Sequence, residues 1–154
     1  MRLDYGPEQH LGRTVQLPAI EGAEYPALVS DINEDGNEVA GIRLPYLTVP
    51  VATYTGWNLR HPDNGNPDLL IGITGGLAGW TLPFPATSVE RERTGDPRPS
   101  ITERYESRHD YVTKTREAAQ ALVDEGYMLE EDIDGVLEHA AERFDYYVEY
   151  GLGR

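Results

Sequence analysis

All 11 prolines of this 154-residue chain lie at or before Pro99, and none follows. Proline lacks a backbone donor and its ring clashes inside a helix. Residues 1–99 are therefore expected to be strands, turns and loops, and residues 100–154 are free to be helical. Glycine is also concentrated before residue 96. The expected fold class is α+β: an irregular β-rich N-terminal part with a hairpin, followed by two or three C-terminal helices. The length fits a single domain over 1–154.

The hairpin is placed on "DINEDGNEVAGIRLP", Asp31 to Pro45. Asp31, Asn33, Asp35 and Gly36 match the first half of a calcium-binding loop, but its twelfth position needs a bidentate Glu and falls on Ile42. The flanks also lack helical periodicity. Asp35-Gly36 supplies the positive φ angles of a tight turn. Tyr25–Asn33 and Glu38–Leu44 are expected as its two strands, with Leu28 and Ile32 on one face and Ala40, Ile42 and Leu44 on another. Thr48–Asn58 is interrupted by Pro50 and is expected as an edge strand or extended segment. Asp68–Ile73 is a short apolar run with the character of a buried strand, reached through the turn-rich loop "RHPDNGNPD".

Helical signals begin at Thr87, where Thr87-x-x-Glu90 has the form of a capping box and Gly95 is a stop. Ser100-x-x-Glu103 is a second box. A helix is expected from Ser107 or Arg108 to Glu125, with Tyr111, Thr115, Ala118 and Leu122 on its apolar stripe and Gly126 as terminator. The last helix is expected over Leu129 to about Val148, with Leu129, Ile133, Val136, Leu137, Ala140 and Phe144 on one face. Gly135 within it is expected to give a kink or early fraying.

Charge narrows the function. Thirteen Lys and Arg against 27 Asp and Glu give a net charge of -14, and Lys114 is the only lysine. Phosphate-rich partners demand a basic footprint, so nucleic acid and anionic membrane surfaces are not expected as partners. The scarcity of lysine fits either a high-salt cytoplasm or a GC-rich genome. Cysteine is absent, which removes disulfides and thiolate metal sites. The N-terminus lacks the apolar stretch of a secretory signal, so a cytoplasmic location is expected if the chain is complete; a fragment of a secreted protein stays open.

Chemistry is sparse. A nucleophile elbow needs G-x-S-x-G, and Ser30, Ser88, Ser100 and Ser107 all lie outside that spacing. No catalytic residue is assigned. Glu106-x-x-His109 has the spacing of a di-iron ligand pair but no second copy, so no metal site is assigned, and no cofactor is expected. "LLIGITGGLAGW" is glycine-rich without the Gly-Lys-Ser/Thr of a phosphate loop; close backbone approach is its simpler purpose. "TYTGWNLRHP" groups Trp57, Asn58 and Arg60, and "GDPRPS" holds Arg98 between two prolines. These four are the candidate ligand-binding residues, with buried structural roles as the competing explanation.

The strings "DGNEVAGIRLP", "VPVATYTGWNLR" and "LPFPATSVERERTGDPRPSITERY", with the closing helices, resemble the C-terminal region of the bacterial "alpha/beta hydrolase domain" protein family. The similarity runs from about Tyr5 to the last helix in the same motif order. The resemblance implies a larger, ester-type hydrolase whose sheet and nucleophile lie upstream, and none of the triad residues maps onto a position here. The expected role is a non-catalytic accessory part that shapes a pocket or interface, with a hydrolase-like core domain or another copy of the chain as partner. The alternative is a stand-alone protein–protein interaction module.

Overall fold

A computed structural model describes residues 2–23, 28–58, 61, 63 and 79–150. The architecture is mixed α+β, with short strands in the N-terminal part and the long helices at the C-terminal end. Strands β1 (Leu3–Asp4) and β2 (Ile20–Glu21) pair antiparallel, Leu3 opposite Glu21. Helix α1 (Pro45–Thr48) precedes β3 (Ala52–Tyr54), which pairs antiparallel with β4 (Thr81–Pro83), Thr53 opposite Leu82. Four helices follow: α2 (Ser88–Thr94), α3 (Ile101–Arg104), α4 (Arg108–Asp124) and α5 (Ile133–Tyr150).

The turn at Asp35-Gly36 forms, but the hairpin strands expected around it do not. Among the described residues the two arms share one bridge, Ile32 to Glu38. The Asn33 side-chain oxygen accepts from the backbone N–H groups of both Asp35 (3.0 Å) and Asn37 (2.9 Å), a local pattern that competes with ladder pairing. Asn37 then leaves the turn for β3. Its Nδ2 donates to the Ala52 carbonyl (3.1 Å) and its Oδ1 accepts from the Tyr54 N–H (2.7 Å). The second arm is thereby drawn toward β3, away from the first, and Gly41 at φ 76° bends it again. Leu28, Ile32, Ile42 and Leu44 end up exposed. Gly36, at φ 77°, is required twice over, since a Cβ there would sit 2.9 Å from Thr53 Cγ2.

The segment expected as one extended run, Thr48–Asn58, is divided. Pro45 starts α1, where its missing N–H costs nothing, and only Ala52–Tyr54 becomes strand. Gly79 brings the chain back against β3 so closely that a Cβ would stand 2.1 Å from the Thr55 carbonyl oxygen. The close approach expected of the glycine-rich run is thus present at its described end. The strand expected at Asp68–Ile73, and Tyr25–Ala27 of the first arm, lie outside the described residues.

The helices follow their caps. Thr87 Oγ1 accepts from the Glu90 N–H (3.2 Å), while the Glu90 carboxylate reaches one residue further back, to the Ala86 N–H (2.8 Å). Ser100 donates from both N and Oγ to Glu103 Oε2, at 2.9 and 2.6 Å. Ser107 Oγ accepts from the Asp110 N–H. Gly126, at φ 81°, closes α4 as the Tyr127 N–H turns back to the Leu122 carbonyl (2.8 Å). Helix α5 begins at Ile133, after a single 3-10 turn over Glu130–Asp132. Leu129 therefore precedes the helix and is exposed instead of joining its apolar stripe. The helix runs unbroken through Gly135.

The main core joins Val51, Phe84, Ile101, Tyr105, Tyr111, Ala140 and Phe144; a second cluster of Ala119, Ile133 and Leu137 lies further along the α4–α5 contact. Asn37 is the polar link between turn and sheet and is fully buried. Asn37→Ala strands the buried Ala52 carbonyl, at about 1–3 kcal/mol, and the half-buried Tyr54 N–H at a smaller cost. We expect the variant to lose about 2–4 kcal/mol in urea unfolding; an unchanged midpoint would contradict this account of how the turn is attached.

Candidate functional site

Two polar assemblies stand out. The first surrounds Phe84, whose wholly buried ring lies under two guanidinium groups, Arg104 at 4.3 Å and Arg98 at 5.1 Å from its centroid. Arg104 forms a bidentate pair with Asp35. Arg98 commits all five of its N–H donors: Nε to Asp96 Oδ1 (2.9 Å), Nη1 to Thr53 Oγ1 (2.7 Å) and the Leu82 carbonyl (3.1 Å), Nη2 to Asp96 Oδ2 (2.6 Å) and the Pro83 carbonyl (3.3 Å). Thr53 Oγ1 in turn donates to the Asp35 carbonyl. Arg98 thereby ties the α2–α3 connection to both strands of the sheet. The Arg98 hydrogen bonds hold the Asp96 carboxyl below the ordinary Asp range, against the opposing effect of its burial.

The second assembly lies where α1, α4 and α5 meet. A cavity of about 220 Å³ is lined by Tyr46, Tyr111, Thr115, Val136, His139, Ala140 and Arg143. It shares Tyr46, Val136 and His139 with a more open groove of about 640 Å³, whose other walls include Leu44, Pro45, Tyr127, Met128 and Leu129. Tyr111 is 0% exposed, stacked on Phe144 (centroids 5.2 Å apart) and edge-on to Tyr105. The Arg143 guanidinium sits 5.5 Å from the Tyr46 ring and 5.7 Å from the Tyr54 ring. Arg143 is near enough to Tyr54 to offset part of its pKa rise, yet neither the Tyr54 nor the Tyr111 hydroxyl has a partner in hydrogen-bond geometry among the described residues. Burial pushes the pKa of both phenols up, so both are neutral donors across the physiological range.

A family profile described as "Alpha/beta hydrolase domain" matches residues 11–138. The chain belongs to that family. No curated protein and no solved structure matches it.

Hydrolysis in an alpha/beta hydrolase domain calls for a hydroxyl activated by an imidazole. Three of this member's serines serve helix starts: Ser88 opens α2, Ser100 caps α3 and Ser107 caps α4; Ser30 is in an exposed coil. His61 lies 3.6 Å from Asp63 across an exposed pair, and His10, His109 and His139 are exposed. No serine or threonine hydroxyl bonds an imidazole among the described residues. Nor do three His, Asp or Glu side chains gather there as a metal site would require; Glu106 and His109 both face solvent.

Of the candidate ligand residues, Trp57 and Asn58 are half-buried just beyond β3, with Asn58 Oδ1 accepting from Thr55 Oγ1 (2.9 Å). Arg98 contacts Thr53 within the same strand. Arg60 lies outside the described residues. The cavity residues were not among the sequence candidates. Tyr111 is legible only as a core position, and Tyr46, His139 and Arg143 come from separate places in the chain. One signal was available: the positions three and four residues from Arg143 hold His139, Ala140, Tyr146 and Tyr147, so this arginine has no acidic helical neighbour in a strongly acidic chain.

Asp96→Asn removes the anion that engages three faces of Arg98. The side chains are 14% and 9% exposed, and breaking a buried pair costs about 3 kcal/mol or more. The folded pKa of Asp96 is depressed, so its stabilisation is present above the unfolded value of 3.8 and is lost as pH falls through the lower folded value. We expect the variant to be less stable at pH 7, with the difference shrinking below pH 4 in parallel denaturant titrations.

Proposed function

We propose that this chain is a non-catalytic accessory part of an α/β-hydrolase-like protein, shaping a pocket or interface while the nucleophile is supplied elsewhere. The observation that carries this is the set of exposed apolar side chains over residues 2–23 and 28–44. Leu3, Leu11, Val15, Leu17, Ile20 and Leu28 all stand exposed there, Leu28 to 90%. Burial of such side chains is worth about 1.5–3 kcal/mol each, which is what a second body covering them would contribute. The segment has its own turns and a sheet of two strands, two residues each, and among the described residues its large aliphatic side chains are exposed. The sheet of β1 and β2 leaves strand edges free for pairing.

The serines support the same reading. Ser107 Oγ caps α4 by accepting from the Asp110 N–H, Ser100 Oγ is bound to the Glu103 carboxylate at the start of α3, Ser88 is the first residue of α2, and among the described residues no imidazole is placed to activate them. The cavity at α1, α4 and α5 supplies what an accessory part contributes: apolar walls with a few convergent polar groups. Membership of the hydrolase family gives the larger context in which such a part would act.

The test is assay of the purified chain against short p-nitrophenyl esters. We expect release no faster than buffer. Turnover that disappears in any single Ser→Ala variant would overturn the proposal. In parallel, Leu28→Asp should leave unfolding stability within about 0.5 kcal/mol of the parent, because that side chain has no role inside the folded chain.

A further inference from the structure

We propose that the cavity between α4 and α5 and its adjoining groove bind a small monocarboxylic acid with an apolar tail. The carboxylate would lie between Arg143 and the Tyr111 hydroxyl, and the tail would run along the groove. This deepens the accessory reading and rests on it for the setting, a pocket wall in an ester-handling protein, whose acid product has this chemistry.

Three independent observations converge. The first is charge. Asp and Glu outnumber Lys and Arg by 27 to 13, and the chain's other well-placed cations are paired: Arg98 with Asp96, Arg104 with Asp35, Arg108 with Asp145 and Lys114 with Asp110. Arg143 is half-buried, and among the described residues no carboxylate lies within ion-pair distance of it. Its neighbours are aromatic rings, which favour a cation but leave its forked donors available to a planar carboxylate. The second is Tyr111, which is fully buried and lines the cavity, and whose hydroxyl has no partner in hydrogen-bond geometry among the described residues. A buried donor without an acceptor is destabilising, and an oxygen-bearing ligand would remove that cost. The third is shape. The inner cavity carries the polar groups, whereas the adjoining groove is walled by Leu44, Pro45, Met128, Leu129 and Val136. Asp132 borders the groove and not the inner cavity, which directs the charged end of a ligand toward Arg143.

The geometry also selects against other ligands. A phosphomonoester carries a second charge that one guanidinium does not balance. A neutral alcohol would leave the guanidinium fork unfilled.

The experiment is isothermal titration of the full chain with sodium octanoate below its micellar range, with 1-octanol and inorganic phosphate as comparison ligands. We expect saturable octanoate binding, at least about tenfold tighter than octanol, and no phosphate binding. Tyr111→Phe removes only the hydroxyl. It should fold with unchanged circular dichroism and equal or higher thermal stability, and should bind octanoate about tenfold more weakly. Arg143→Gln should lose binding altogether. Equal affinity for octanoate and octanol, octanoate binding undiminished in Arg143→Gln, or no octanoate binding by the parent chain would each overturn the inference. Those failures leave the accessory role standing, whereas esterase turnover by the chain would sink the accessory role and leave acid binding intact.

Discussion

The ring of Phe84, held beneath Arg98 and Arg104, is the joint on which the described structure depends. Each arginine is anchored to a different piece of chain. Arg104, on α3, grips Asp35 at the turn; Arg98, just before α3, grips Asp96 and both strands of the second sheet. The strands are too short to hold themselves together by ladder pairing, since β3 and β4 span three residues each. Side-chain bonds from outside the sheet do that work instead. Such buried ionic contacts add little net energy over an apolar substitute, but they leave one way to assemble the parts.

From that joint the helical half extends as a more ordinary packing problem. Tyr111, Thr115, Ala119 and Leu122 on α4 face Ile133, Leu137, Ala140 and Phe144 on α5. The contact is not filled along its whole length. Tyr46 of α1 and Arg143 of α5 line the cavity left there together with Tyr111, whose hydroxyl has no hydrogen-bond partner among the described residues. A protein that only needed a stable hairpin of helices would gain from phenylalanine at position 111. The retained hydroxyl is the physical reason for regarding this gap as a site.

Legibility in the sequence followed the range of the interactions. Both capping motifs, the stop at Gly126 and the apolar stripes of the last two helices are local patterns, and each appears within a residue or two of its expected place. The first arm of the hairpin misled because its alternation was real but its destination was not. Asn37 found better partners in β3, fifteen and seventeen positions away, than the arms found in each other. Among the site residues, Arg98 was noticed for its proline frame, but its five bonds span the chain from Thr53 to Asp96. Tyr46, Tyr111 and Arg143 carried no shared spacing, and only the missing acidic neighbours of Arg143 hinted at them.

By itself, the order of residues determined where helices were permitted, because proline and glycine act on their own backbone and caps act within four residues. It also determined the acidity of the chain, and the family to which it belongs. Tertiary structure alone decided that a turn with hairpin signals would dock on a strand instead of forming one. It alone decided that, among the described residues, Arg143 would have no carboxylate within ion-pair distance while lining a cavity with a buried phenol. Both outcomes arise from groups far apart in sequence competing for the same few donors and acceptors, and that competition is resolved only when the chain is folded.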